Sequence, residues 1–325
     1  ILFISSFLKN QNMQIRLANP RGFCAGVDRA IEIVRKVLEI KGAPVYVKHE
    51  VVHNRTVVDE LKNLGAIFIE DIDEVPIGET LIYSAHGVSK SVQIDSDQRN
   101  LHVFDATCPL VSKVHAEVQM YSKISRECIL IGHANHPEVE GTMGQYNVSL
   151  GGRIYLVESL SDAQTIEVKN PDDLAYVTQT TLSIDDTEKI IKALKSRFPK
   201  MKGPRKDDIC YATQNRQDSV KQLALESDLI LVVGSKNSSN SNRLREIAER
   251  SGVESYLIDP ARDLKPEWFV SKFSIGITSG ASAPEHIVKE VIEVIEKEYE
   301  VNLLSSYKRI DEGVAFRLPK ELRSR

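Results

Sequence analysis

The sequence has 325 residues, enough for two or three small domains. Hydrophobic residues make up 42% and charged residues 27%, the balance of a soluble globular chain. A formal net charge of -4 excludes recognition of nucleic acid through a basic excess, so any bound anion must be gripped locally.

No apolar run reaches the roughly 20 residues that span a bilayer, so no membrane partner is expected. The opening ILFISSFLKNQN lacks a basic start and a small-residue cleavage site, and Met13 followed by QIRLANP reads as a natural start. Residues 1–12 are expected to be an N-terminal extension outside the fold, and the chain to be cytoplasmic.

In chain order, NPRGFCAGVDRAIEIVRKVLEI first puts Cys24 on a short turn before an amphipathic helix. APVYVKHEVVHN follows as a strand ending in a polar loop at His53, and ETLIYSAHGVS as a second strand with His86 at its tip. The pattern restarts with FDATCPLVSKVHAEVQMYSKI, which carries Cys108, then CILIGHANHPEVEG with His136, then DLAYVTQTTLS with Thr180 and Thr181. A third round gives DDICYATQNRQDSVKQLALES with Cys210, LILVVGSKNSSNSN with Ser238, and FSIGITSGASAP with Ser282. His53 follows Cys24 by 29 residues, His136 follows Cys108 by 28, and Ser238 follows Cys210 by 28. Such agreement marks an internal repeat.

Strands alternating with helices predict an α/β fold of three similar modules with small, mostly parallel sheets. Ligands bind beyond the carboxyl ends of such strands, where all six polar loops lie. The expected arrangement is a pseudo-threefold trefoil around a central cluster cavity. The predicted boundaries are 13–107, 108–207 and 208–284 for the modules, with 285–325 a C-terminal helix and tail packing on the first. Cys128 falls outside the repeat and begins the strand CILIG, where a small thiol is a core residue.

Soft thiolates select zinc, copper(I) or iron–sulfur clusters. Three cysteines without a fourth equivalent suggest a cubane with one iron that the protein does not bind. Such an iron is a Lewis acid, and the cluster also delivers single electrons. A lone cysteine is usually a buried core residue, but here each stands before its helix rather than on the apolar face, which favours ligands. His53, His86 and His136, with the serines and asparagines of GSKNSSNSNRL, supply neutral hydrogen-bond donors suited to a small phosphorylated ligand. There is no GxxxxGK[ST] loop, so a nucleotide P-loop is not supported. Glu138, two residues after His136, can deliver a proton to a leaving hydroxyl, and spacing alone leaves Glu140 as the other choice. The charge run KSRFPKMKGPRKDD reads as solvated surface or linker.

The segments ANPRGFCAGVDRAI, HEVVHN, SAHGVS, FDATCPLV, GHANHPEVEGTMGQ, TQTTLS, KDDICYATQNRQ, GSKNSSNSNRL and TSGASAP occur in order from about Met13 to Pro284, with PKELR near the end. Together they closely resemble the 4-hydroxy-3-methylbut-2-enyl diphosphate reductase family, the last enzymes of the non-mevalonate isoprenoid pathway. The resemblance implies a trefoil around one [4Fe–4S] cluster held by Cys24, Cys108 and Cys210. It implies that His53, His86, His136, Ser238, Ser239, Asn240 and Ser282 bind the allylic diphosphate, that Glu138 is the proton donor, and that Thr180 lies near the substrate hydroxyl beside Thr181. The implied reaction removes that hydroxyl as water with two electrons, giving isopentenyl and dimethylallyl diphosphates. Flavodoxin or ferredoxin would supply the electrons, and no dinucleotide fingerprint occurs in this chain. No matched position is substituted. A single chain that completes its own cavity suggests a monomer. The alternatives are a non-redox iron–sulfur hydro-lyase, a cluster-containing sensor without turnover, and a structural zinc protein.

Overall fold

The computed structural model describes residues 12–305 and 308–323, so the expected extension falls, but for Asn12, outside the described residues. Two compact units divide the chain. One holds the described residues up to 24, residues 53–57 and residues 211–314; the other holds 25–52, 58–210 and the described residues from 315.

The first unit is built on a five-stranded sheet in the order β10-β9-β11-β1-β12. Its strands are β1 (Asn12–Leu17), β9 (Leu229–Val233), β10 (Glu254–Ile258), β11 (Ser274–Ser279) and β12 (Glu300–Leu303), and every pairing is parallel. β9 is LILVV with all five residues buried, as a strand covered on both faces must be. Alternation divides its side chains between two cores. Leu229, Leu231 and Val233 join Met13, Ile15 and the apolar stripe Ile287, Val288, Val291, Ile292 and Ile295 of α10 (Glu285–Glu298). Ile230 and Val232 meet Val220, Leu223 and Ala224 of α8 (Tyr211–Ala224) and Leu244 and Ala248 of α9 (Ser239–Arg250). Residues 13–17, placed by the sequence at the start of the first module, thus contribute to a strand beside β11 and β12.

The second unit carries two parallel sheets. One is ordered β3-β2-β4-β5, from β2 (Val45–Lys48), β3 (Ala66–Ile69), β4 (Thr80–Tyr83) and β5 (His102–Asp105). The other is ordered β7-β6-β8, from β6 (Glu127–Ile131), β7 (Ile154–Val157) and β8 (Leu174–Thr178). In β6, Cys128 and Leu130 pack on Val114, Val118 and Tyr121 of α4 (Pro109–Lys123). Ile129 and Ile131 face the other way, onto Ile190 and Leu194 of α7 (Ile184–Arg197). Cys128 is fully buried there, and burial drives its thiol far above the ordinary range. α1 (Ala25–Lys41) takes the end of the tail: Arg29 Nε donates to Arg317 O at 3.0 Å, and buried Leu322 lies in a turn packed on the helix. The α/β architecture with three parallel sheets matches the expectation.

Candidate active-site residues

Each polar loop singled out by the repeat does follow the carboxyl end of a strand: His53 after β2, His86 after β4, His136 after β6, Thr180 after β8, Ser238 after β9 and Ser282 after β11. The second unit brings four of the expected residues together. His136 caps the short helix α5 (Pro137–Met143), its Nδ1 accepting the Glu138 N–H at 3.1 Å. The rings of His136 and His86 meet edge to face, 5.7 Å between centroids. Glu138 is 4% exposed, and its carboxylate accepts from the Thr180 N–H at 2.6 Å and from the Thr180 hydroxyl at 3.0 Å.

Burial pushes the Glu138 carboxyl up to about 7, against the two Thr180 bonds that favour the ionised form, with the charge of Asp208 adding to the rise. A carboxyl poised there gives or takes a proton at neutral pH. Glu140 is exposed, which separates the two candidates that spacing left open.

Cys210 and Cys108 lie on turns tied into the same unit. The Cys210 N–H donates to Thr180 O at 3.1 Å, and the Cys108 N–H to Ala85 O at 3.0 Å, beside His86. Cys108 is the residue before the first turn of α4, as Cys24 stands before α1 and Cys210 before α8. A helix N-terminus favours the thiolate form.

The first unit gathers the remaining candidates. Ser238 caps α9, its hydroxyl accepting from the Ser241 N–H at 3.3 Å and the Ser241 hydroxyl at 3.0 Å. The Ser282 hydroxyl lies 3.4 Å from that of Ser238 and donates to His53 O at 2.9 Å. A Cβ on Gly280 would stand 2.0 Å from Ser241 Oγ and one on Gly234 2.2 Å, so both loops need glycine to close on the serine. Asn240 is 5% exposed, yet neither amide atom has a hydrogen-bond partner among the described residues. A buried polar group without a partner calls for an explanation, and Asn240 stands in the first turn of α9, which Ser238 caps.

Two residues escaped the sequence reading. Asp208, two positions before Cys210, has a wholly buried side chain that accepts from Lys113 Nζ at 2.8 Å and from the Thr178 N–H at 2.9 Å. The acidic pair in DDIC was its only signal. His115 of α4 is 8% exposed beneath Gly87, and burial lowers its imidazole to about 4. Lying on a helix face among apolar residues, it gave no signal apart from ordinary core.

The donor set fits an iron–sulfur cluster: three half-buried thiols stand before helices, and the only other cysteine is sealed in the core. Among the described residues no three His, Cys, Asp or Glu side chains form a site for a single metal ion.

Comparison with known proteins gives the family. The family described as LytB protein matches residues 15–296. The 4-hydroxy-3-methylbut-2-enyl diphosphate reductase of Pseudomonas putida is 62% identical over 313 residues, covering 96% of this chain and 99% of the relative. Among solved structures, the E-1-hydroxy-2-methyl-but-2-enyl-4-diphosphate reductase from Plasmodium falciparum superposes with a TM-score of 0.88 at 38% identity, covering 96% of this chain and 97% of its own. A second, titled (E)-4-hydroxy-3-methyl-but-2-enyl diphosphate reductase, the terminal enzyme of the non-mevalonate pathway, gives 0.63 at 34% identity over 88% of this chain and 99% of its own. The chain belongs to the LytB family of 4-hydroxy-3-methylbut-2-enyl diphosphate reductases.

Proposed function

We propose that this chain catalyses the reductive dehydroxylation of (E)-4-hydroxy-3-methylbut-2-enyl diphosphate to isopentenyl and dimethylallyl diphosphates, the terminal step of the non-mevalonate pathway. The observation that carries the chemistry is the buried Glu138 carboxyl, held by Thr180 and poised near neutrality. Two electrons and two protons enter, the C–O bond of the allylic alcohol breaks, and the hydroxyl leaves as water. Glu138 gives a proton to the departing oxygen, and the Thr180 N–H and hydroxyl stabilise the carboxylate that remains. Thr180, the neighbour of that carboxyl, also orients the substrate hydroxyl.

The diphosphate end is assigned to His53, His86, His136, Ser238, Ser239, Asn240 and Ser282. Their donors carry no permanent charge, so they can bind an anion without fixing it as a salt bridge. Cys24, Cys108 and Cys210 would hold one [4Fe–4S] cluster per chain, which when bound would supply electrons and Lewis acidity. A small acidic carrier, flavodoxin or ferredoxin, is the proposed electron donor, and the proposed working form is a cytoplasmic monomer. No described helix is long and apolar enough to cross a membrane.

Anaerobic reconstitution followed by Mössbauer spectroscopy, with and without the diphosphate substrate, tests the cluster assignment. A change confined to one iron site on adding substrate is expected; stoichiometric zinc without iron would overturn it. Turnover in the absence of any electron donor would point instead to a hydro-lyase.

A further inference from the structure

Each cysteine-bearing turn is held by a basic side chain, and the three holders occupy matching positions. Arg29, five residues after Cys24, donates from Nη1 to Thr107 O at 3.0 Å and from Nη2 to Asp105 O at 3.4 Å. Lys113, five residues after Cys108, donates from Nζ to Lys206 O at 2.5 Å, to Asp207 O at 3.3 Å and to the Asp208 carboxylate at 2.8 Å. Arg216, six residues after Cys210, donates from Nε and Nη2 to Gly22 O at 3.0 and 2.6 Å, and from Nη2 to Phe23 O at 3.3 Å. The gripped segments lead into Cys108, Cys210 and Cys24 respectively. A cation on the helix after one cysteine therefore fastens the main chain before the next, three times over. Each contact lies within one unit of the fold.

A basic residue holding carbonyls is often plain architecture. Arg197 does this too, donating to Ala163 O at 2.7 Å and Ile166 O at 2.6 Å, in a segment that leads to no cysteine. What sets the other three apart is recurrence at one place in the repeat, each time on a turn that ends in a thiol. Arg216 also shows how firmly such a grip can be built: it is wholly buried, with Glu312 pairing its guanidinium at 3.1 Å.

We propose that Arg29, Lys113 and Arg216 are positioning residues for Cys108, Cys210 and Cys24, holding the three turns where the thiols can share one cluster. This rests on the reading that these cysteines bind a cluster. Charged donors to carbonyls are among the stronger hydrogen bonds. Losing one holder frees one turn, and the turn it frees belongs to the next cysteine in the series, not to the cysteine on its own helix.

The test uses Arg29→Met and Lys113→Met in the full chain, the latter also in an Asp208→Asn background so that a stranded buried carboxylate is told apart from a freed turn; Arg216 is left out because its loss would strand Glu312. Amide exchange read by mass spectrometry should quicken about tenfold in residues 105–108 for R29M and in 206–210 for K113M, each leaving the other segment at the wild-type rate. Both reconstituted variants should lose their iron–sulfur absorbance to a chelator several-fold faster than wild type. Arg29→Lys and Lys113→Arg should restore most of the difference. Arg197→Met serves as control, with faster exchange near 163–166 and wild-type cluster loss. Wild-type cluster retention in R29M and K113M, or quickening no more local than in a general loss of stability, would overturn the positioning role while leaving the cluster assignment standing. A wild-type chain that takes up no cluster would overturn both.

Discussion

Thr180 donates to Glu138 twice, from its main-chain N–H at 2.6 Å and its hydroxyl at 3.0 Å, so one residue fixes both oxygens of a carboxyl that is almost out of reach of water. Glu138→Gln keeps the shape and a carbonyl oxygen for the Thr180 N–H, but has no proton to give. Turnover should fall by about a hundredfold to ten-thousandfold, with cluster content unchanged. Kinetics on iron-quantified protein check this, and near-wild-type turnover would remove Glu138 from its role.

The same substitution should flatten the dependence of stability on pH. The folded-state carboxyl is raised from 4.5 to about 7, so its protonated form favours folding. That contribution is whole below pH 4.5 and disappears as pH rises through about 7, an effect on the order of 3 kcal/mol. Denaturant melts between pH 4.5 and 8 should show this slope in wild type and its loss in E138Q.

Thr180→Val separates the two hydrogen bonds, because it removes the hydroxyl and keeps the N–H. The hydroxyl stabilises the ionised carboxylate, so its loss raises the Glu138 pKa further, by about one unit. Rate limited by protonated Glu138 falls as pH rises, and in T180V that fall should move to higher pH. A profile shifted to lower pH, or unmoved, would show that the hydroxyl does not act on the carboxyl.

How far the sequence could carry this reading differs between neighbouring residues. The turn–helix–strand unit around each cysteine is local, so its spacing is visible along the chain and the three parallel sheets follow from it. Membership of β1 in its sheet is not local: Ile15 pairs with Ile275 and Leu303, and nothing in NMQIRL points to partners so distant. Asp208 has only the acidic pair of DDIC to mark it and Arg216 nothing, since their partners Thr178, Gly22 and Phe23 lie far away in the chain. Spacing from His136 suits Glu138 and Glu140 alike, and only the fold shows that the first is buried and the second exposed.

Asn240 gives a prediction in which stability and binding part company. Its amide is buried with neither atom partnered among the described residues, so the fold carries an uncompensated polar group there. Asn240→Ala removes that group and leaves a small void, and the two effects oppose each other. Thermal stability without substrate should stay within about 1 kcal/mol of wild type. The KM for the diphosphate substrate should rise about tenfold or more, since an amide at a helix N-terminus is lost from the proposed anion site. A large loss of stability with KM unchanged would assign Asn240 to architecture alone.

Gly87 follows His86 with φ at +77°, and an added Cβ there would stand 2.5 Å from Cε1 of the buried His115 ring. Gly87→Ala therefore meets two obstacles at once. The left-handed backbone costs a residue with a Cβ about 1–2 kcal/mol, and the imidazole must shift in a packed interior, while the added Cβ also comes within 3.1 Å of Thr107 Cγ2. Stability should drop by about 2–3 kcal/mol. Relief of either obstacle turns the backbone at Gly87 and so swings the adjacent His86 ring away from His136, 5.7 Å off in the wild type. Substrate KM should therefore rise well beyond what the loss of folded protein explains. Combining G87A with His115→Ala removes the clash but not the backbone strain, so it should recover part of the KM and leave the left-handed cost in the melt. Equal KM in G87A and wild type, measured on protein shown to be folded, would mean that the His86 ring is not held through this glycine.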